Sequence, residues 1–501
     1  MPSLLDLAYS GALADDCRPW PRALVDVEAW SFAIDELAAE RWTLTALWGE
    51  PEAVNMGLID ERAGQICVIT LPCPAGLFPS VGRAHPPAIR LERAIRDLWG
   101  HVAVNAPDPR PWLDHGCWPA RPPGAGSTEP GPGAYPFLEA EGPDLHQIPV
   151  GPVHAGIIEP GHFRFTASGE TIVRLEERLG YVHKGTMALM RGADLGRGAK
   201  IAGRISGDST LAYALAYARA VEAALEAEVP PRAVWLRALM AELERIANHL
   251  GDFGAICNDA AFSMLNAHCS ILRERVLRTA DASFGSRLMR DLIIPGGAAR
   301  DLSPGGAGAV RELLSNIETR LPVLIKVYDN TSSLQDRTVG TGRLAASLAR
   351  QHGAGGYIGR ASGRAFDARR AFPYPPYETL AFEIPVREAG DVNARVWIRI
   401  LEIEQSLSLI TQILDRLPAG EVFAPVPKPA KASEGGALVE GFRGDIFAWI
   451  RLENGRIDRC ALRDPSWFQW PLLEAAIEGN IVADFPLCNK SFNCSYSGHD
   501  L

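Results

Sequence analysis

Chemistry in this chain concentrates in one decapeptide, Arg204-Ile205-Ser206-Gly207-Asp208-Ser209-Thr210-Leu211-Ala212-Tyr213. Ser206 and Ser209 stand three residues apart with Asp208 between them, Arg204 before and Tyr213 after. That spacing is the frame of a paired-ligand metal motif, with thiolates expected at 206 and 209 and an imidazole at 213. Hydroxyls are hard and nearly non-ionisable at neutral pH, so this frame offers hydrogen bonds and proton transfer instead of soft-metal binding. Asp208 ahead of the alanine-rich stretch 211–227 also suits an N-cap or first-turn acid, stabilising a helix by about 1 kcal/mol. The two serines equally suit close helix packing. Upstream, His154 and His162 punctuate GPVHAGIIEPGHFRF, residues 151–165. Imidazoles titrate near neutrality and can donate protons, although in a Gly/Pro-rich loop they also cap turns.

These residues need a scaffold, and 501 residues supply two or three domains. Hydrophobic residues at 47% and charged residues at 22% describe an ordinary folded protein. A net charge of -10 argues against a nucleic-acid surface. No run of 18 apolar residues occurs, and the opening MPSLLDLAYS lacks a basic-then-apolar leader, so neither a membrane span nor a signal peptide is expected. The cysteines at 17, 67, 73, 117, 257, 269, 460, 488 and 494 include no C-x-x-C pair, which suits buried thiols in a reducing cytoplasm.

Composition divides the chain into three. Residues 1–118 hold a strand signal at 64–71 and an amphipathic helix at 88–99 (AIRLERAIRDLW). Residues 119–146 form a linker, whose stretch 119–136 carries six prolines and four glycines. Residues 147–501 open on strands 162–166 and 171–175 about a hairpin turn. Helices are expected over 211–227, 234–250, 261–283, 307–327 and 393–416, then a loop at 428–436. Strands 447–452 and 457–462 flank Asn454-Gly455, and a helix at 470–478 precedes an irregular tail. Glu242, Glu244, Arg245 and His249 read as a solvated or partner-facing helix face, and His183 as a surface or subunit-contact residue.

Segments spread along residues 147–501 resemble one family. Gly151-Pro152-Val153-His154, Gly180-Tyr181-Val182-His183-Lys184-Gly185, Arg337-Thr338-Val339-Gly340 and Arg360-Ala361-Ser362-Gly363 with Asp367 and Arg369 occur in its order. Tyr374, Tyr377, Phe382-Glu383-Ile384-Pro385-Val386, Gly390-Asp391 and Arg395 continue it. The unit resembles the large subunit of group 4 nickel–iron hydrogenases of the formate-hydrogenlyase and hydrogenase-4 type. It equally resembles the D-type subunit of complex I, NADH–quinone oxidoreductase. In residues 1–118, Glu92-Arg93, Asp97-Leu98-Trp99-Gly100 and Asp108-Pro109-Arg110 resemble the signature of the C-type subunit of complex I. The resemblance implies an α+β chain: a small α/β domain joined to a mainly helical domain with β hairpins.

In that family the decapeptide reads R-I-C-G-x-C-x-x-x-H, and a late D-P-C-x-x-C supplies two more thiolates to nickel and iron. The late frame here is Asp464-Pro465-Ser466-Trp467-Phe468-Gln469, so the four ligand positions read Ser206, Ser209, Ser466 and Gln469. No nickel–iron centre is expected. The remaining implication is a quinone cavity beside an iron–sulfur cluster held by a small partner subunit, lined by His154, His162, Arg204, Asp208 and Tyr213. His154, Asp208 and Tyr213 are the expected proton-handling groups. The chain itself is expected to bind no cofactor. NADH need not bind here, since no G-x-G-x-x-G follows a strand. Membrane-arm subunits would hold the chain to the cytoplasmic face of the membrane. Two other readings stay open: an active hydrogenase large subunit, and a non-catalytic scaffold coupling partners to a proton-translocating arm.

Overall fold

The computed structural model describes residues 3–14, 16–116, 118, 135–156, 158–427 and 431–501. The first of its layers is a five-stranded sheet in the order Ala12–Leu13, Arg22–Leu24, Gln65–Pro72, Ala53–Asp60, Thr43–Glu50. Both faces of its long strands are buried. On one side lie the helices Val27–Ala38 and Ile89–Trp99, with Trp30, Leu37, Leu91 and Ile95 in the core. On the other side Trp48, Ile66 and Val68 pack against Phe447 and Trp449 of a second sheet. Sheet-on-sheet packing therefore joins the start of the chain to its last third. A two-residue strand, Cys17–Arg18, also pairs in parallel with Ser433–Gly441 of that second sheet.

The C-type signature has its spacing because it holds a loop. Glu92 accepts from the amides of Val81 (2.5 Å) and Gly82 (3.0 Å), while one Asp97 oxygen accepts from those of Trp112, Leu113 and Asp114 (2.7–3.1 Å). Arg93 reaches Asp108 at 2.9 Å. Buried carboxylates thus satisfy backbone donors that no strand pairs.

The sequence-predicted linker falls largely at residues outside those described. Leu145–Val150 is a strand, paired with His162–Ser168, which pairs in turn with Thr171–Arg178. A helical body follows: Thr210–Leu225, the long helix Pro231–Asp259, Ser263–Phe284, Gly306–Asn330 and Val392–Arg416. The long helix starts on Pro231 at N1, where a missing amide costs nothing, and runs nine residues past the stretch read from sequence.

Two expectations fail for identifiable reasons. Residues 433–436 are strand, not loop. Gly435 and Gly436 stand there because a Cβ would come within 2.0 Å of Ala220 O and 2.7 Å of the Trp20 ring. The last helix begins at Ser466, and the tail is ordered into Phe485–Phe492 and Tyr496–His499. Mixed helices and several small sheets make the fold α+β.

Candidate functional site

The decapeptide enters the Thr210–Leu225 helix through a tight loop whose carbonyls at Arg204 (3.2 Å) and Ile205 (2.8 Å) accept from Lys184 Nζ. Asp208 is not the cap of that helix. Glu244 fills the role from the long helix, accepting from the amides of Leu211 at 2.8 Å and Ala212 at 3.1 Å. Asp208 turns instead to Arg443, at the close of the strand pair Ser433–Gly441 and Gly444–Glu453. The two meet in a fork, 2.6 and 2.5 Å long. The guanidinium also donates to Ser209 Oγ (3.2 Å) and Asn493 O (2.5 Å). Burial alone would raise the Asp208 carboxyl, but the Arg443 charge and hydrogen bonds outweigh it and hold the group down at about 2. Burial raises Glu244, with two amide bonds opposing, to about 8.

Early and late segments meet through hydroxyls. Ser206 Oγ lies 2.9 Å from Asp208 Oδ1 and 2.9 Å from Ser495 Oγ. The Ser495 amide donates to Ser466 Oγ at 2.9 Å, and Ser495 Oγ accepts the Gly498 amide. The side chain opposite the decapeptide is therefore Ser495, not Ser466. From Ser466 the chain leaves along a helix and returns through Phe485–Phe492. Asn493, in the left-handed region at φ 46°, then turns residues 493–497 to the front.

In front of this junction opens a cavity of about 540 Å³. His154, Glu159, Ser206, Asp208, Arg443, Cys494, Ser495 and Tyr496 line it, with Ile158, Phe163 and Phe485 as apolar wall. His154 Nε2 donates to Gly161 O at 2.8 Å, and because a carbonyl only accepts, Nδ1 carries the lone pair of the neutral ring. Glu159 accepts the Ser497 amide at 3.1 Å. The Tyr496 hydroxyl is buried and closes no hydrogen bond, although Asn489 stands beside it.

Of the residues singled out from sequence, the cavity gathers His154, Ser206 and Asp208. His162 sits behind the wall, its Nδ1 3.2 Å from Gly151 O and its Nε2 accepting from Arg164. Arg204 faces outward and pairs with Asp291 at 2.6 Å. Tyr213 is fully buried and donates to Asp464 at 2.5 Å, a contact that with burial raises its pKa. Gln469 donates to Arg443 O at 2.8 Å from the rear. Ser209 touches Arg443 without lining the cavity.

Glu242, Glu244, Arg245 and His249 lie inside the protein, all at 8% exposure or less, so that helix face is neither solvated nor free for a partner. His183 hydrogen-bonds Asp500 O at 2.9 Å, and Asp500 also takes the amides of Gly180 and Val182. Glu244, Arg443, Ser495 and Tyr496 were missed from sequence. Only Ser495, three residues before Gly498 as Ser206 is before Ser209, carried a readable signal.

Fold and junction together are those of a large subunit in which a segment near the chain end closes on an early motif. Residues 260–435 match the family model described as respiratory-chain NADH dehydrogenase, 49 Kd subunit. The chain is 32% identical to formate hydrogenlyase subunit 5 of Escherichia coli over 84% of its own length and 77% of the relative's. It is 30% identical to hydrogenase-4 component G of Escherichia coli, covering 84% and 76%. The D-type subunit of NADH-quinone oxidoreductase from Desulfotalea psychrophila matches at 31% over 67% and 91%. A chain in the structure of the membrane-bound sulfane sulfur reductase, an archaeal respiratory membrane complex, superposes with a TM-score of 0.67 at 27% identity, over 72% of this chain and 99% of that one. This chain belongs to the family that unites the formate-hydrogenlyase and hydrogenase-4 large subunits with the D-type subunits of NADH-quinone oxidoreductase. Among the described residues no helix is long and apolar enough to cross a membrane.

Proposed function

We propose that this chain is the fused C/D-type redox subunit of a membrane-associated complex, working without a nickel–iron centre. Electrons from an iron–sulfur cluster in a small partner subunit would reach quinone, or another acceptor, in the 540 Å³ cavity. The observation that carries this reading is the junction itself: Ser206 meets Ser495 and Asp208 meets Arg443 at the cavity floor. The donor set does not fit nickel and iron. Ser206, Ser209, Ser495 and Gly498 offer three hydroxyls and a backbone position where soft thiolates are needed. Cys494 is a lone thiol that burial pushes well above its usual range.

In this reading His154 hands a proton to the reduced acceptor, since it faces the cavity and titrates near neutrality. Asp208, ionised far below neutral pH, supplies no proton; it fixes Arg443 and the charge of the floor. The complex would sit on the cytoplasmic face, held by membrane-arm subunits, with neither nucleic acid nor NADH bound to this chain. The test is acceptor reduction by the isolated complex, with a short-chain quinone and with polysulfide, alongside metal analysis. His154→Ala and Asp208→Ala are each expected to cut turnover at least tenfold with the complex intact. Unchanged turnover in both would establish an inert scaffold, and stoichiometric nickel would establish a hydrogenase.

A further inference from the structure

Behind the cavity floor lies a second set of charges, sealed from solvent. Arg245 bridges Glu242 (3.3 Å) and Glu402 (3.8 Å), and Arg369 bridges Glu242 (2.9 Å) and Asp367 (2.7 Å). Arg360 is shared by Asp367 (3.3 Å), Glu402 (2.8 Å) and Glu440 (3.0 Å). No side chain in this cluster is more than 4% exposed.

Four carboxylates, on Glu242, Asp367, Glu402 and Glu440, therefore share three guanidiniums. The neighbours do not supply the missing cation. Arg399 is matched by Asp252 at 3.1 Å, and Arg463 by Asp445. Arg395, a turn before Arg399, is held by the carbonyls of Gly390 and Gly342, with Asp391 acting on it. Glu244 is an additional anion, met by helix amides. His249 Nε2 lies 2.7 Å from Glu402, but its Nδ1 has no partner, so a second ring proton would leave a bare N–H in the dry core. An uncompensated charge in such a place is neutralised by a proton instead.

We propose that Glu440 holds that proton, making the cluster an exchangeable proton store behind the cavity. Glu440 is the weakest-served of the four acids. Its one cation is the shared Arg360, and its other oxygen accepts only the Ala368 amide, at 2.9 Å. Tyr374 offers only its hydroxyl oxygen, as acceptor for the Glu440 amide. Burial first, then the Asp367 charge, lift the Glu440 carboxyl to about 7, whereas the guanidiniums around Glu402 and His249 keep Glu402 ionised and the ring neutral. The store adjoins the cavity, because Arg443 follows three residues after Glu440 and Arg245 grips the turn between them through Glu440 O and Gly441 O. The only bond made and broken is O–H, with the proton exchanged with water. The inference stands whether or not an acceptor binds in the cavity.

The test is infrared spectroscopy of the folded full-length protein during a pH titration in H₂O and D₂O. A deuterium-sensitive protonated-carboxyl band is expected to disappear with a midpoint near 7. In the wild-type minus Glu440→Gln difference that band should account for one group, other buried acids cancelling. Glu402→Gln, which brings the cluster to three and three, is expected to shift the midpoint down by at least one pH unit. No titrating carboxyl in wild type near neutrality would overturn the proposal whatever the variants do. An unshifted midpoint in Glu402→Gln would overturn the shared-charge account, and should Glu440→Gln not fold, that variant carries the comparison.

Discussion

The cavity floor and the sealed cluster behind it use the same two side-chain types to opposite ends. At the floor Asp208 meets Arg443 one to one in a fork, with Asp208 still a third exposed. In the cluster every member is fully buried, yet four acids divide three arginines. Asp208 is held at about 2 and Glu440 lifted to about 7. Burial raises both, so burial does not separate them; the number of guanidinium contacts does. Stoichiometry of charge, more than depth, decides which buried acid is free to titrate.

The sharpest way to break this comparison is Arg360→Met. It strips the one cation shared by Glu402, Asp367 and Glu440 and leaves carboxylates unpaired in a dry core. Loss of one partner in such a network costs about 3–5 kcal/mol. Chemical denaturation should therefore show a large drop in midpoint, partly recovered when Glu440→Gln is added. A drop the size of a surface substitution would mean the cluster is not a charge network.

Next in size are the pH dependences, whose signs are opposite. Glu440 has a folded value near 7 against an ordinary 4.5. The folded state then binds the extra proton between those values, so its contribution to stability is present below about 4.5 and lost as pH rises to 7. Glu440→Gln should flatten that fall. Asp208 runs the other way: depressed from 3.8 to about 2, it contributes stability present above 3.8 and lost as pH falls toward 2. Because cavity solvent screens the pair, its pH-dependent part is about 1 kcal/mol. Denaturation midpoints of Asp208→Asn and wild type should converge at the acid end. Parallel profiles for wild type and both variants would erase the distinction between the two regions.

Residue patterns exposed one region better than the other. The decapeptide frame was legible because a spacing of three with flanking Gly207 survives loss of its ligands, and the strongly periodic helices were legible for the usual reason. The cluster was hidden by the same logic. Glu242, Arg245 and His249 have the look of a charged surface stripe, and only partners 110 to 200 residues distant, on Glu402 and Glu440, turn that stripe inward. The late segment was misplaced because Asp464-Pro465 matches the expected dipeptide, while Asn493-Cys494 does not. Asp464 is instead a buried acceptor, for the Ser466 amide at 2.7 Å and for Tyr213.

The smallest expected effect concerns that misplacement and separates the two serines at the late end. Ser495 Oγ contacts Ser206 Oγ and accepts the Gly498 amide, so it joins the early motif to the start of the Tyr496–His499 helix. Ser466 Oγ accepts only the Ser495 amide and stands one layer back. Ser495→Ala removes an N-cap and a cross-motif bond, a loss of about 1 kcal/mol, and opens Ser206 to the cavity. Ser466→Ala leaves one amide unmet, a comparable cost, but does not alter the floor. Stability should therefore fall similarly in both, whereas acceptor KM in the assembled complex should change in Ser495→Ala alone. Equal KM shifts in both variants would mean that Ser466, and the Asp464-Pro465 segment with it, belongs to the site after all.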